Sequence, residues 1–318
     1  MIAVPIKPIL YIQERFRSDI DQQREDAISG LKKLLGGVDP KGKPYLESLI
    51  RFFENNKELL TTHPDQLLSL KPDEEIVECE VTMPNKRTGN HKIPIEKAII
   101  EALGYKSLRK KFYPSYFAAV GIKACVYCNS QLTVSVGNRN DGFSGMFDVD
   151  HRHNKDKYPW LSICLFNLYP ACAPCNRKKS TSAVDFELYS DNPAQLSKSE
   201  FLFKLDEFGK AKYLVNKDPS HLTANFSSLS SGNDEYARTF MINEIYTTQG
   251  DVIEELITKA QTYDDTYRRM LAKNFSKLGI NPLMFQRIIL GNYINQNEIH
   301  KRPMTKFMQD IAKEIGLM

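Results

Sequence analysis

The 318-residue sequence contains no long apolar run. No stretch approaches the roughly 20 apolar residues that a membrane-spanning helix needs. The first ten residues are apolar, but Pro5 and Pro8 interrupt them, and they lack the basic region and cleavage site of a signal peptide. Internal repeats and low-complexity tracts are also missing from the sequence. We therefore expect a protein without a membrane segment that acts in the cytoplasm.

Cysteine is scarce, and neither sign of charge is in large excess. In a reducing compartment, the six cysteines are expected to be thiolates or buried side chains and not disulfides. The net charge of +4 permits a polyanionic partner such as nucleic acid but does not demand one. With 42% hydrophobic and 26% charged residues, the composition is that of a globular protein and excludes wholesale disorder.

Helical patterns dominate the N-terminal part, residues 1–120, where apolar residues recur at a spacing of three to four. A short segment rich in Val and Ile, 75–83, predicts a strand. We interpret residues 1–120 as an N-terminal helical arm. The helices predicted in this arm are 19–35, 45–60, 94–103 and 108–120.

The C-terminal part, residues 191–318, is also mainly helical by pattern, with a strand hairpin predicted within 201–215. Between the two helical parts, in residues 121–190, cysteine, histidine, asparagine and glycine replace the apolar periodicity. The sequence thus predicts a mainly α protein, α+β overall, with a small metal-binding module at 121–190. The C-terminal helices are predicted at 235–247, at 251–278 and, as two short ones, within 282–317.

Two Cys-x-x-Cys pairs, Cys125 with Cys128 and Cys172 with Cys175, enclose most of this module. Each pair places two thiolates on one tight turn, and two pairs complete the tetrahedral sulfur shell that zinc prefers in structural sites. The alternatives are a redox-active pair or four unrelated buried cysteines. The segment between the pairs is longer than the roughly 15–20 residues of a zinc ribbon, so it must hold additional structure. The remaining cysteines, predicted to be small buried side chains, are Cys79 and Cys164.

The segment between the cysteine pairs contains two predicted strands, 131–136 and 146–150, joined by a turn rich in Gly and Asn. Asp150 and His151 stand at the end of the second strand, and Asn167 precedes the second cysteine pair. Asn176 follows the last cysteine at the start of a predicted helix. The basic residues that follow it are Arg177, Lys178 and Lys179.

The order of these features resembles that of the HNH, or His-Me finger, endonucleases that carry a structural zinc. The shared order is Cys-x-x-Cys, strand, Asp-His, Asn-Leu, then Cys-x-x-Cys-Asn and Lys. The resemblance covers residues 125 to about 180, less than a fifth of the chain. It implies that 121–190 folds as a zinc-clamped ββα-metal nuclease module.

The resemblance also implies a role for four residues. Asp150 would be a ligand of the catalytic divalent metal, and His151 the general base. Asn167 would be the middle Asn, which holds the active-site loop and the base in position. Asn176 stands where the family's lettering has a final His, and it would be the second metal ligand. This substitution makes the protein's ligands all oxygen atoms.

General chemistry supports the same site. An imidazole with a pKa near 6.5 accepts a proton from water close to neutral pH. Carboxylate and amide oxygens suit Mg²⁺ or Mn²⁺. The side chains of 177–179 could hold flanking phosphates. The alternatives are a capped Asp-His turn and an ordinary solvated helix face, and His153 is either exposed or an auxiliary ligand.

Tyr158-Pro159, followed by Asn167-Leu168 and the second cysteine pair, is similar to a narrower group of HNH proteins. These are the nuclease subunits of Septu-type anti-phage systems, which act beside an ABC-type ATPase. The resemblance implies an antiviral role, DNA as the expected substrate, and helical arms that dock the ATPase or a second copy. The arms could equally be a scaffold for the nuclease module. Two other functions stay open, a zinc module that binds nucleic acid without cutting it and an assembly subunit.

Overall fold

A computed structural model describes residues 1–85, 89–138, 142–228 and 234–318. Helices form most of the regular structure, and short strands form separate two-stranded pairs. The chain is therefore a mixed α and β protein, in agreement with the predicted α+β class. The helices in these ranges are α1 (Ile6–Arg15), α2 (Arg17–Leu34), α3 (Lys43–Asn55), α4 (Ile95–Ala102), α5 (Tyr105–Lys111), α6 (Tyr113–Val120), α7 (Ala173–Lys179), α8 (Pro193–Ser197), α9 (Glu207–Asn216), α10 (Asp234–Phe240), α11 (Ile242–Thr247), α12 (Gly250–Thr262), α13 (Asp265–Lys277), α14 (Pro282–Leu290) and α15 (Thr305–Glu314).

The strands pair mostly with near neighbours in the sequence. Four pairs are antiparallel: β2 with β3, β4 with β5, β6 with β7, and β9 with β10. The parallel pair, β1 with β8, joins the N-terminus to the segment that follows the module. The strands are β1 (Val4–Pro5), β2 (Glu80–Asn85), β3 (Gly89–Pro94), β4 (Val134–Asn138), β5 (Gly142–Met146), β6 (Asp148–His151), β7 (Leu168–Ala171), β8 (Tyr189–Ser190), β9 (Phe201–Leu205) and β10 (Ala224–Ser228).

The helical arm follows the sequence pattern with shifted ends. Helices α2, α3 and α4 confirm the first three predicted helices, although α3 ends five residues early at Asn55. The helix predicted at 108–120 is instead two helices, α5 and α6. They divide at Phe112, and Pro114 lies in the first turn of α6, where its missing N–H costs no helical hydrogen bond. The predicted strand begins later than expected, at Glu80.

The hairpin predicted within 201–215 is wrong. Its first strand exists as β9, but residues Glu207–Asn216 form helix α9, and β9 pairs with β10. Asp206 begins this helix because its carboxylate accepts a hydrogen bond from the Gly209 backbone N–H at 3.0 Å. The segment that reads as a turn is therefore the first turn of a helix.

The central module differs from its prediction at both strands and at the helix. The first strand, predicted at 131–136, begins later, as β4 at Val134. The second predicted strand is divided, since Met146 ends β5 and a new strand, β6, begins at Asp148. Part of the predicted turn, 139–141, lies outside the described residues. The helix expected to start at Asn176 begins at Ala173, so Asn176 lies in the middle of α7. Asn176 therefore faces β6 from inside a helix instead of capping one.

One hydrophobic core joins the three parts of the chain. Buried side chains such as Phe53, Phe166 and Phe307 belong to the same cluster. Cys164 is fully buried as predicted, whereas Cys79 is only partly buried against the core. Within the described ranges, each helix is either too short or too polar to cross a membrane. Residues 121–190 are thus packed on both sides by the helical parts that flank them in sequence.

Candidate active site and metal centre

The four cysteines of the two pairs meet in one buried cluster. Their sulfur atoms all lie within 4.8 Å of one another, and those of Cys128 and Cys172 are 3.9 Å apart. A tetrahedral ion with bonds of about 2.3 Å separates its sulfur ligands by about 3.8 Å. The cluster could therefore hold a metal ion such as zinc. Among the His, Cys, Asp and Glu side chains described, no second group of three or more lies so close together.

The surroundings of the cluster favour a bound cation. Burial raises the pKa of the Cys125 thiol well above its usual value. The Cys172 backbone N–H and the Ser130 hydroxyl donate hydrogen bonds to the sulfurs of Cys125 and Cys128. Several thiolates in one buried space are stable only with a positive partner. The donor set and its burial both fit a structural metal.

The C-terminal helices hold the first cysteine turn in place. Asn129 takes a left-handed conformation, with φ of 54°, directly after Cys128. Its side-chain amide donates to the Ile299 carbonyl at 2.9 Å and accepts from the Lys306 backbone N–H at 3.1 Å. The Tyr246 hydroxyl donates to the Cys128 carbonyl at 2.9 Å. The geometry of the metal cluster thus depends on residues more than 100 positions away.

Strand β6 carries the acidic residues and the histidine of the candidate active site. It pairs with β7, so that Asp150 lies opposite Tyr169 and His151 opposite Leu168. Successive residues of a strand face opposite sides. Asp148 and Asp150 therefore share the face towards α7, and His151 lies on the other face.

His151 is buried, and its ring is oriented by the main chain. Its Nε2 lies 3.0 Å from the Ser162 carbonyl oxygen, which can only accept, so Nε2 carries the hydrogen. The ring packs on Tyr105 with 4.9 Å between the centroids. Burial, together with the charges of Lys155 and Lys179, lowers the pKa of His151 to about 3. The imidazole is therefore neutral at pH 7, but it is a weaker base than the unperturbed imidazole that the sequence argument assumes. No described residue hydrogen-bonds to Nδ1.

Asn167 ties together the loop that follows His151. Its fully buried side chain accepts from the His153 backbone N–H at 2.7 Å and donates to the Leu161 carbonyl at 2.9 Å. Its own carbonyl accepts from the Arg152 N–H. These contacts join Asn167 to the backbone of the loop at three points. His153 itself is half-buried, with its ring edge-on to Tyr158, and no role for it is shown.

Asp150 forms a buried ion pair with Lys179. The Lys179 ammonium lies 3.0 Å from one carboxylate oxygen and 3.3 Å from the other, and it also donates to the His151 carbonyl at 2.8 Å. The Tyr127 hydroxyl donates to the same carboxylate at 2.5 Å. Lys179 was predicted as a surface phosphate contact, but its side chain is 2% exposed and points into the protein. Both oxygens of Asp150 are therefore engaged.

Asn176 contacts Asp148, a residue that the sequence pattern did not single out. The Asn176 amide nitrogen donates to one oxygen of Asp148 at 3.1 Å, and Arg109 of α5 forms an ion pair with the other. The alternation of residues along a strand could have suggested Asp148, because it lies two positions before Asp150. The contact of Arg109 joins residues 39 positions apart and has no sequence signal. Arg177 and Lys178 are exposed on the last turn of α7, as predicted.

No protein-family model matches the chain, and neither the curated proteins nor the solved structures provide a significant match. The function of the chain is therefore inferred from its own residues. The observations that bear on it are the cysteine cluster, the oriented imidazole and the facing polar groups of β6 and α7.

Proposed function

We propose that the chain is a metal-dependent HNH endonuclease that hydrolyses phosphodiester bonds, with DNA as the expected substrate. The observation that carries this proposal is the setting of His151. His151 ends β6, and its ring is oriented by the Ser162 carbonyl on the face of the strand opposite to Asp148, Asp150 and the amide of Asn176. His151 and the two carboxylates lie between the two cysteine pairs, whose cluster would hold a structural zinc, and Asn176 directly follows the second pair.

In this proposal, His151 is the general base. Because Nε2 donates to the Ser162 carbonyl, Nδ1 is the atom that would accept a proton from water. The oxygen of that water bonds to phosphorus, and the bond from phosphorus to the leaving ester oxygen breaks. The leaving oxygen then takes a proton from solvent. Asn167 contributes by holding the backbone on both sides of this loop.

Asp150 and Asn176 would hold the catalytic divalent cation. Carboxylate and amide oxygens are the ligands that Mg²⁺ and Mn²⁺ prefer, although the β6 carboxylate that Asn176 contacts is Asp148, while Asp150 is paired with Lys179. A cation bound there supplies Lewis-acid stabilisation to the phosphate. The chain's own residues must make room for it, because the Lys179 ammonium is already paired with Asp150. Arg177 and Lys178 are placed to contact flanking phosphates.

The resemblance to Septu-type nuclease subunits extends the proposal to anti-phage defence beside an ABC-type ATPase. The helical parts on either side of the module would be the docking surfaces for the ATPase or for a second copy of the chain. Phage plating on cells that express the complete system is the test. If phage formed plaques equally well on cells with the wild-type protein and on cells with His151→Ala, nuclease activity would have no part in the defence.

The nuclease itself is tested by plasmid cleavage with the purified, zinc-loaded protein. We expect Mg²⁺ or Mn²⁺ to support nicking or linearisation, EDTA to abolish it, and His151→Ala to reduce its rate by at least about 100-fold, since general-base catalysis contributes that much or more. Lys157→Ala, a change on the exposed part of the following loop, is the matched control for preparation and folding. RNA and single-stranded DNA serve as alternative substrates.

If His151→Ala cleaved as fast as wild type in a contaminant-free preparation, His151 would have no role in the mechanism.

One observation favours a second function, the binding of nucleic acid without cleavage: other side chains occupy both carboxylate oxygens of Asp150. That function predicts zinc-dependent DNA binding that His151→Ala leaves unchanged, with no cleavage of any substrate. The two functions thus differ in their response to the same variant.

A further inference from the structure

Strand β6 and helix α7 face each other through two matched contacts. Asp148 and Asp150 lie on the same face of the strand, and Asn176 and Lys179, three positions apart, lie on the same face of the helix. The outer contact joins Asp148 to the Asn176 amide at 3.1 Å. The inner contact joins Asp150 to the Lys179 ammonium at 3.0 Å. The two carboxylates therefore have different partners and different access to solvent.

The inner contact is complete without a further cation. The Asp150 and Lys179 side chains are 5% and 2% exposed, their charges cancel, and Tyr127 adds a hydrogen bond to the carboxylate. Removing either charge from such a buried pair strongly lowers the stability of the folded protein. A metal that used Asp150 alone would have to compete with this arrangement.

The outer contact is more open. Asn176 is a neutral amide, so the charge of Asp148 is balanced by Arg109, which reaches it from α5. The side chains of Asp148 and Arg109 are 20% and 47% exposed. Exposed ion pairs contribute little to stability, so another cation can compete with the guanidinium at such a site. Asp148 is thus the carboxylate next to Asn176 that solvent ions can reach.

We propose that Asp148 is a further ligand of the catalytic divalent cation, and that Arg109 is the cation it releases when the metal binds. This inference rests on the proposed nuclease function, and it deepens it by adding a third protein ligand to the site. Asp148 supplies a hard carboxylate oxygen beside the Asn176 amide, in keeping with the ligands that Mg²⁺ and Mn²⁺ prefer. Arg109 acts as a competitor of the metal for that oxygen.

The test measures binding of Mn²⁺ to the zinc-loaded full chain, using the electron paramagnetic resonance signal of free Mn²⁺. We expect Asp148→Asn, which keeps the shape but removes the charge, to weaken Mn²⁺ binding by at least about tenfold. Arg109→Gln should tighten it about two- to fivefold, because the competing ion pair is gone. The opposite signs of the two effects are the signature of cation exchange at Asp148.

Two controls separate exchange from general charge effects. Lys110→Gln removes the same charge from the same helix, and Lys110 forms no ion pair among the described residues, so its Mn²⁺ affinity should stay close to that of wild type. Asp156→Asn removes an acidic charge from the exposed loop after His151. The inference would be overturned if Arg109→Gln bound Mn²⁺ no more tightly than Lys110→Gln does. It would also be overturned if the affinity of Asp148→Asn for Mn²⁺ were within twofold of that of wild type.

The outcome is separable from that of the nuclease proposal. If Asn176→Ala loses both Mn²⁺ binding and cleavage while Asp148→Asn keeps both, the nuclease stands and the role of Asp148 falls. If wild type neither binds Mn²⁺ nor cleaves any nucleic acid, the nuclease proposal and the proposed role of Asp148 are both wrong. Circular dichroism of Asp148→Asn checks its folding, and Arg109→Gln tests the exchange independently of that variant.

Discussion

At the scale of single residues, the ion pair of Asp150 with Lys179 is the most consequential contact of the site. It places two charges in a position where their side chains are almost wholly buried. Asp150 also accepts a hydrogen bond from the Tyr127 hydroxyl, and Lys179 donates to the His151 carbonyl, so one network links Asp150 to the backbone of His151. A change at Lys179 therefore affects both stability and the site.

We expect Lys179→Met to lower the free energy of unfolding by about 3–5 kcal/mol, because it leaves the Asp150 carboxylate buried with only a hydroxyl partner. Lys178→Met is the matched control, because Lys178 is next to Lys179 in the sequence but is exposed on the same turn. This change should alter the free energy of unfolding by less than about 0.5 kcal/mol. Urea unfolding of the zinc-loaded proteins measures both.

The double variant Asp150→Asn with Lys179→Met gives a further check. It removes both charges, so it should be more stable than Lys179→Met alone. Equal stability of Lys179→Met and Lys178→Met would show that the ion pair contributes nothing to the fold.

Residues of the site were predictable from sequence only where a local motif marks them. Asp150 and His151 stand next to each other, and Asn176 follows a cysteine, so their order along the chain singles them out. The roles assigned to them remain predictions. Tyr127, Arg109 and Lys179 enter the site through contacts across 23 to 39 positions, and spacing along the chain does not indicate such contacts.

At the scale of elements, the two cysteine turns and helix α7 form one unit. The second turn supplies Cys172 at the start of α7, and the same helix carries Asn176 and Lys179 towards β6. A metal that joins the cysteines therefore also fixes the position of the helix that faces the candidate active site.

We expect the purified protein to contain one tightly bound zinc ion, because four thiolates complete a closed tetrahedral shell. Cys172→Ser should lose most of this zinc and much of the folded structure, whereas Cys79→Ser should keep it. Cys79 is the matched control because it is a partly buried free cysteine outside the cluster. Elemental analysis gives the zinc content, and circular dichroism gives the folding. Full zinc content in Cys172→Ser would exclude the four-cysteine site.

Elements were predictable where apolar periodicity was long, as in α2. The ends of the C-terminal helices were less so: the helix predicted at 251–278 is divided into α12 and α13, and the one predicted at 235–247 into α10 and α11. The errors fall where short-range signals compete. The hairpin predicted within 201–215 fails because the Asp206 cap begins helix α9 there. A single helical pattern at 108–120 became α5 and α6, which divide at Phe112, and Pro114 lies in the first turn of the second helix.

At the scale of the whole molecule, His300 connects three distant parts of the chain. Its Nε2 donates to the Ile2 carbonyl at 2.7 Å, and its own carbonyl accepts from the backbone N–H groups of Lys123 and Ala124. The imidazole is buried, and its Nδ1 has no hydrogen-bond partner among the described residues. Burial lowers the pKa of His300 to about 4.

This pKa predicts a loss of stability in mild acid. Because the folded pKa lies below the unfolded value of about 6.5, stability is fully present above pH 6.5 and falls as the pH drops towards 4. Between pH 7 and pH 5, we expect a loss of about 2 kcal/mol from this group. His300→Gln keeps an N–H donor for Ile2 but does not titrate, so its stability should fall correspondingly less.

Urea unfolding of the two proteins at pH 7 and at pH 5 measures the difference. Acid release of zinc affects both proteins alike, so only the difference between them reports on His300. An equal fall in both would show that His300 does not couple folding to protonation.

The sequence by itself determined the mixed class of the protein and the four cysteines that meet in the structure. These features depend on the periodicity and spacing of residues within short segments. Such local patterns are enough to predict helices, strands and tight turns. Only the tertiary structure decided which groups surround those residues: Lys179 on Asp150, Arg109 and Asn176 on Asp148, and the Ser162 carbonyl on His151. The reason is that burial and ion pairing depend on where distant segments of the chain come together, and that position is a property of the packed molecule as a whole.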